Sequence, residues 1–363
     1  MAITNTDFQN VALAISAYAM ERWTQEKTIN STGIVSTSAD VDPSGESFIG
    51  QMRWYNAIEA TINVASLSSA TAGNYSSLST DIADYIKNVR TYGIEQVNMQ
   101  SLISKQDGLA VFSSQAAKSR AQDEHNAVLS VLKGVAASEV ALGAGVVNFD
   151  SVPDGDTGMF VDVNAAGAFG SAATGSSDER KLIDSSATGA ARGERIFRAV
   201  GMAWKDYEPE YMYMITSPEV YADLRSAGIV DTDRIKDGNI EFQTLFGGKF
   251  RLILTRAAQG NLAASANVND RSTKTTFICA PGSVVFKSFE TPVPVEIGRD
   301  AAAYAGGGST HIWYRYGFVA HPVGYDWSGA TNAFATNTTL AAAASWTRKA
   351  DYLNLGILPI LHA

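Results

Sequence analysis

The chain has 363 residues, one cysteine, a net charge of -9 and 18% charged residues. Its length favours two packed lobes over one core, and the lone cysteine excludes an internal disulfide or a multi-cysteine metal site. The acidic balance argues against gripping nucleic acid through its phosphates, and a charged fraction below the roughly 25% of ordinary soluble domains leaves surface free for interfaces.

In chain order, Phe8, Val11, Ile15, Tyr18 and Arg22, with Trp23 following, have the spacing of a short amphipathic helix that would dock as an arm. The apolar stretch Val11 to Met20 is too short to span a bilayer, so a soluble, non-secreted chain without a membrane partner is expected. Ser/Thr-rich tracts at 28–50 and 66–80 bracket the apolar run Phe48 to Leu67, which describes a projecting excursion around a strand pair. Asp81 to Val97 fits two templates: Ile82, Tyr85, Ile86 and Val89 suit a helix, and Tyr92, Ile94 and Val97 suit an extended return strand.

From Leu109 to Gly134 the pattern predicts one long helix with Ala117, Ala121, Val128, Leu132 and Val135 on its seam and Arg120, Asp123 and Glu124 off it. Residues 143–193 turn to Gly, Ala, Ser and Asp without a strong core signal. A compact α/β lobe follows. It has a helix carrying Ile196, Phe197, Val200, Ala203 and Trp204, and a strand at Tyr211 to Ile215. A second helix has Ser217 as cap, Pro218 at its first position, Val220, Tyr221 and Leu224 facing in, and Gly228 beyond its end. Strands are expected at Phe250 to Leu254 after the turn Gly247-Gly248, at Thr275 to Cys279 with Cys279 as buried filler, and at Val284 to Phe286. Thr310 to Tyr325 reads as one long strand with an aromatic face, and the apolar tail Tyr352 to Leu361 closes the chain.

The residues point away from catalysis. Gly248-Lys249 lacks the P-loop glycine five positions earlier, where Gln243 stands, and Phe250 replaces the magnesium-binding hydroxyl. His125, His311, His321 and His362 lack metal-ligand spacing, and Asp154 to Gly158 opens like a calcium loop whose twelfth position is Ala165. The pairs Asp123/Glu124, Glu208/Glu210 and Asp231/Asp233 read as solvated faces. No catalytic, cofactor-binding or metal residue is assigned, and no enzyme is expected. The polar tracts 28–50, 66–80, 143–192, 259–274 and 328–345 are longer than loops of compact domains, which favours a chain whose excursions lie on neighbouring copies.

Three segments carry a resemblance. Val97-Asn98-Met99 through Asp107-Gly108-Leu109, Gln115-Ala116-Ala117, Asp123 and Val128-Leu129-Ser130-Val131-Leu132-Lys133-Gly134-Val135 resemble the spine region of the major capsid proteins of tailed double-stranded DNA bacteriophages. Met214-Ile215-Thr216-Ser217-Pro218-Glu219-Val220-Tyr221 is similar to the strand-then-helix of their axial domain. Gly317-Phe318-Val319-Ala320-His321-Pro322-Val323-Gly324-Tyr325-Asp326-Trp327 is similar to their final long strand.

The resemblance implies an α+β chain of the Hong Kong 97-like phage capsid fold. Its parts would be an N-terminal arm (1–39), an E-loop (40–98), a peripheral domain (99–192) with spine helix 109–134, an axial α/β domain (193–290), and a return strand with C-terminal segment (291–363). It further implies pentamers and hexamers of an icosahedral head in the virion, assembled in the host cytoplasm and enclosing double-stranded DNA by non-specific proximity. The long prohead segment of some relatives is missing ahead of the arm, so a separate scaffolding protein is the expected helper, with a portal and a candidate decoration protein as further partners. Residues 143–192 match no part of the family. An encapsulin-like compartment shell is the structural alternative, and an α/β hydrolytic enzyme the alternative from another class. Residues 40–95 are expected to lie across an adjacent subunit, and Val128 and Leu132 to pack against the strand around Phe318.

Overall fold

The structure is a computed structural model describing residues 29–43, 47–55, 80–97, 108–143, 145, 158–162, 194–204, 208–237, 240–255, 274–350 and 352–362. The predicted arm helix, the excursion tip at 56–79, almost all of 143–192, the calcium-loop-like run at 154–157 and most of 259–274 lie outside the described residues.

In chain order the elements are β1 (Val35–Ser36), β2 (Ile49–Tyr55), β3 (Thr80–Val97), α1 (Gly108–Ala141), β4 (Val161–Asp162), α2 (Glu194–Trp204), β5 (Met212–Thr216), α3 (Pro218–Ser226), β6 (Val230–Asp237), β7 (Ile240–Leu245) and β8 (Phe250–Leu254). There follow β9 (Lys274–Cys279), β10 (Val284–Phe289), β11 (Val295–Asp300), β12 (Ser309–Pro322), β13 (Tyr325–Trp327), α4 (Asn337–Leu340), β14 (Trp346–Arg348) and β15 (Ile357–His362).

Two sheets and a hairpin organise them. The first runs β1-β10-β12-β3-β2, with β11 also on β12; the second runs β4-β15-β9-β5-β8-β7-β6; β13 and β14 form the hairpin. One contiguous core joins both sheets to α1, containing Val128, Leu132 and Phe318 together with Met214, Phe277 and Ile360. α1 packs against β12 with its seam residues in the core, and the two lobes share that one core.

α1 has 34 residues, about 50 Å at 1.5 Å per residue, and continues a further two turns past Gly134. Gly134 is where the helix admits a neighbour, since a Cβ there would overlap the Leu340 carbonyl oxygen and the Trp346 indole. α3 starts as its sequence specifies: the Ser217 hydroxyl accepts from the Val220 N–H, Pro218 leads the first turn, and Gly228 follows at φ 72°. Val220 and Leu224 are buried, whereas Tyr221 is only half-buried.

Several expectations are corrected. Asp81 to Val97 is strand throughout, paired with β12 from Lys87 to Val97 and with β2 from Thr80 to Ile86. The long strand stops at Pro322, which has no N–H to donate; the chain turns at Gly324 (φ 87°) and Tyr325 begins the hairpin. β10, grouped by sequence with the 193–290 lobe, pairs with β12 in the first sheet, while C-terminal β15 pairs with β9 in the second. Both are apolar segments whose hydrogen-bond partners are remote in sequence. The tract 328–345 packs partly on its own subunit, since Ala335, Leu340 and Ser345 are buried and Asn337 donates to Asp123 of α1 at 3.1 Å, while residues 330–334 are exposed. In tract 28–50, Ile29, Ile34 and Val41 are likewise buried.

Candidate functional site

The main polar constellation lies between α1 and the aromatic face of β12. Ile312, Tyr314, Tyr316, Phe318 and Ala320 alternate inward on that strand, and successive strand residues point to opposite faces, so the two phenol groups reach the helix together. The Arg120 guanidinium donates to the Tyr314 hydroxyl at 2.9 Å and to Glu124 at 2.9 Å, one helical turn on. Tyr316 donates its hydroxyl proton to Asp123 at 3.0 Å, and Arg90 of β3 approaches the same carboxylate at 3.4 Å. The Arg120 guanidinium also stands 5.2 Å over the Tyr316 ring.

This overturns the placing of Arg120 and Glu124 off the seam: they are 3% and 0% exposed. Burial opposes the Arg120 charge, but Glu124 and Tyr314 outweigh it and hold the guanidinium more firmly protonated than usual. Burial, and then the Asp123 carboxylate, push the Tyr316 phenol well above its ordinary range. Such a network welds helix to sheet. It is a satisfied structural cluster and not a poised acid-base pair.

The remaining charged residues singled out in the sequence are dispersed. Lys249, after the Gly247-Gly248 turn, pairs with Glu208 at 2.9 Å and donates to the Pro209 carbonyl, while the Asp231 carboxylate accepts from the N–H groups of Gly247 and Gly248. His125 accepts from the Ile29 N–H, and His362 contacts the Thr276 hydroxyl at 2.8 Å. His311 lies 4.0 Å from Glu95 on the outer sheet face. Cys279 is fully buried, which pushes its thiol up to about 12 and makes it inert. Among the described residues no group of three His, Cys, Asp or Glu side chains is arranged to hold a metal ion, and no helix is long and apolar enough to cross a membrane.

His321 is a group whose burial the sequence did not reveal. It is 0% exposed, 5.8 Å from the Trp346 ring, and neither ring nitrogen makes a well-formed hydrogen bond among the described residues. Burial lowers its pKa to about 4, against the weaker opposing effects of the Tyr325 backbone and Asp326. The native state thus binds this proton less readily than the unfolded chain. The contribution to stability is whole above about pH 6.5 and is lost as pH falls towards 4, reaching about 3 kcal/mol. Denaturation midpoints measured across that window should fall in the parent and flatten in His321→Leu. An identical slope in both would refute the assignment. Glu139, whose pKa burial raises, contributes with the opposite sign in both proteins and cancels in the comparison.

No family model matches the sequence, and no curated protein does. Among solved structures, the capsid of Ralstonia phage GP4 aligns at TM-score 0.53 and 9% identity, over 92% of this chain and 88% of that one. The fold is the Hong Kong 97 type. The capsid of cyanophage Pam1 aligns at TM-score 0.49 and 12% identity over 94% and 92% of the two chains, and that of cyanophage P-SCSP1u at 0.48 and 12% over 82% and 86%. α1 is the longest helix among the described residues, and β2 pairs antiparallel with β3 as a two-stranded ribbon.

Proposed function

We propose that the chain is a coat subunit which forms pentamers and hexamers and closes them into an icosahedral shell around double-stranded DNA. The observation that carries this is the alignment along nearly the whole chain with the Ralstonia phage GP4 capsid. Low charge and long polar tracts, features of a chain completed by its neighbours, agree with it. On this reading the working chemistry is non-covalent burial rather than catalysis. The virion is the chain's place and the host cytoplasm its site of assembly, with a scaffolding protein, a portal and a decoration protein as partners. Residues 1–39 serve as arm, 40–98 as the E-loop with its segment 56–79 laid over an adjacent subunit, and the second sheet as the axial unit.

Electron microscopy of the purified protein, with sedimentation in parallel, checks the reading. Capsomers or closed shells are expected; a monodisperse monomer at micromolar concentration would overturn it. In particles isolated from the host, nuclease-resistant DNA is expected, whereas particles filled with cargo protein would favour the encapsulin-like alternative.

A further inference from the structure

We infer that the β13–β14 hairpin is a clasp coupling the root of the β2–β3 ribbon to the C-terminal end of the spine helix, so that loosening either attachment loosens both. The inference rests on contacts within one subunit and is independent of the shell-forming reading.

The need for a clasp arises where β12 ends. Its last pair with β3 is Val319 with Lys87, while β3 continues back to Thr80 with β2 on one side only. That leaves backbone groups on the other edge of β3 without ladder partners, and side chains from the hairpin region replace them. The Asp326 carboxylate accepts from the Asp84 N–H at 2.6 Å, and the Lys349 ammonium donates to the Ile82 carbonyl at 3.0 Å. Asp326 and Lys349 also pair with each other at 3.3 Å. An edge closed by two charged side chains is held only while the hairpin that carries them stays in place.

The hairpin's other attachments are to the spine helix. Arg348 donates to Glu139 at 3.1 Å, and the Ser138 hydroxyl donates to the Trp346 carbonyl at 2.8 Å. The Trp346 indole N–H donates to the Leu340 carbonyl, and the ring fits against the helix at Gly134. Glu139 is fully buried, and its carboxylate also accepts from the Met159 N–H. In the hairpin register Tyr325 faces Arg348 and Asp326 faces Thr347. The attachments to helix and ribbon are thus adjacent: Arg348 precedes Lys349, and its ladder partner Tyr325 precedes Asp326. Two anchors one residue apart on a short antiparallel ladder cannot shift independently without breaking the ladder, which is the physical requirement for coupling.

Hydrogen exchange on the full chain, all variants in the same assembly state, tests this. Arg348→Met removes a helix attachment at Glu139 and should speed exchange about tenfold in residues 136–141 and also in residues 82–86 of the ribbon. Asp326→Asn should act reciprocally, reaching 136–141 from the ribbon side. Lys249→Met, which breaks an ion pair elsewhere, should leave both segments unchanged. Should Arg348→Met not fold, Ser138→Ala deletes one hydroxyl from the same attachment and should shift both segments in the same direction by a smaller factor. Responses confined to 136–141 for Arg348→Met or Ser138→Ala, and to 82–86 for Asp326→Asn, would overturn the coupling.

Discussion

Leu132→Asp is expected to remove soluble, assembling protein almost entirely. Leu132 is 0% exposed on α1, in the same contiguous core as Val128 and Phe318, where an aspartate would meet apolar neighbours. Burying an unpaired charge costs several kcal/mol, and avoiding that cost requires the helix to lift from the sheet. Either outcome consumes a large share of the roughly 5 to 15 kcal/mol that separates native from unfolded states. Lys118→Asp is the matched control on the same helix, because Lys118 is exposed and a surface exchange of this kind changes stability by about 0.5 kcal/mol or less. Soluble yield and particle counts are the measurements. Normal shells from Leu132→Asp would mean that this face of the helix is not buried against the sheet.

The seam that makes this substitution so damaging was legible in the sequence because a helix and its apolar spacing share one period. Ala117, Ala121, Val128, Leu132 and Val135 are all buried, as their intervals require. The ribbon was harder to read for a definite reason. Beyond Arg90, β3 alternates with Thr91, Gly93 and Glu95 outward, a clean strand signal. Nearer its root both faces are covered: Ile86 lies in the main core and Tyr85 in a second, small core with Val41, Met52 and Val319. A strand buried on both sides loses its alternation, and a run such as Tyr85-Ile86 then suits a helix equally well. β6, β7 and β11 escaped notice for the opposite reason, since β6 is the edge of its sheet, β11 is largely exposed, and Asp231, Asp233, Arg234, Lys236 and Asp237 make β6 read as a polar loop.

Arg120→Ala is expected to be strongly destabilising, the reverse of what the helix pattern alone suggests. Charge in a helix pattern points to solvent, yet the intervals 117, 121, 124, 128 place Glu124 squarely on the buried stripe, and Arg120 is its partner one turn before. Removing the guanidinium takes the ion-pair partner from the buried Glu124 carboxylate, which also accepts from Asn30 at 3.4 Å, and takes the Arg120 donor from the Tyr314 hydroxyl. Breaking one side of a buried pair costs roughly 3–5 kcal/mol, whereas replacing both members by apolar residues of similar volume is often neutral. The double variant Arg120→Met with Glu124→Leu should therefore recover most of the stability that Arg120→Ala loses. Denaturation midpoints of the parent, the single and the double variant give the comparison directly. A single variant as stable as the parent would show that the pair is solvated in solution. A double variant no better than the single would show instead that the guanidinium's contacts with Tyr314 and the Tyr316 ring, and not its neutralisation of Glu124, hold the spine helix to the sheet.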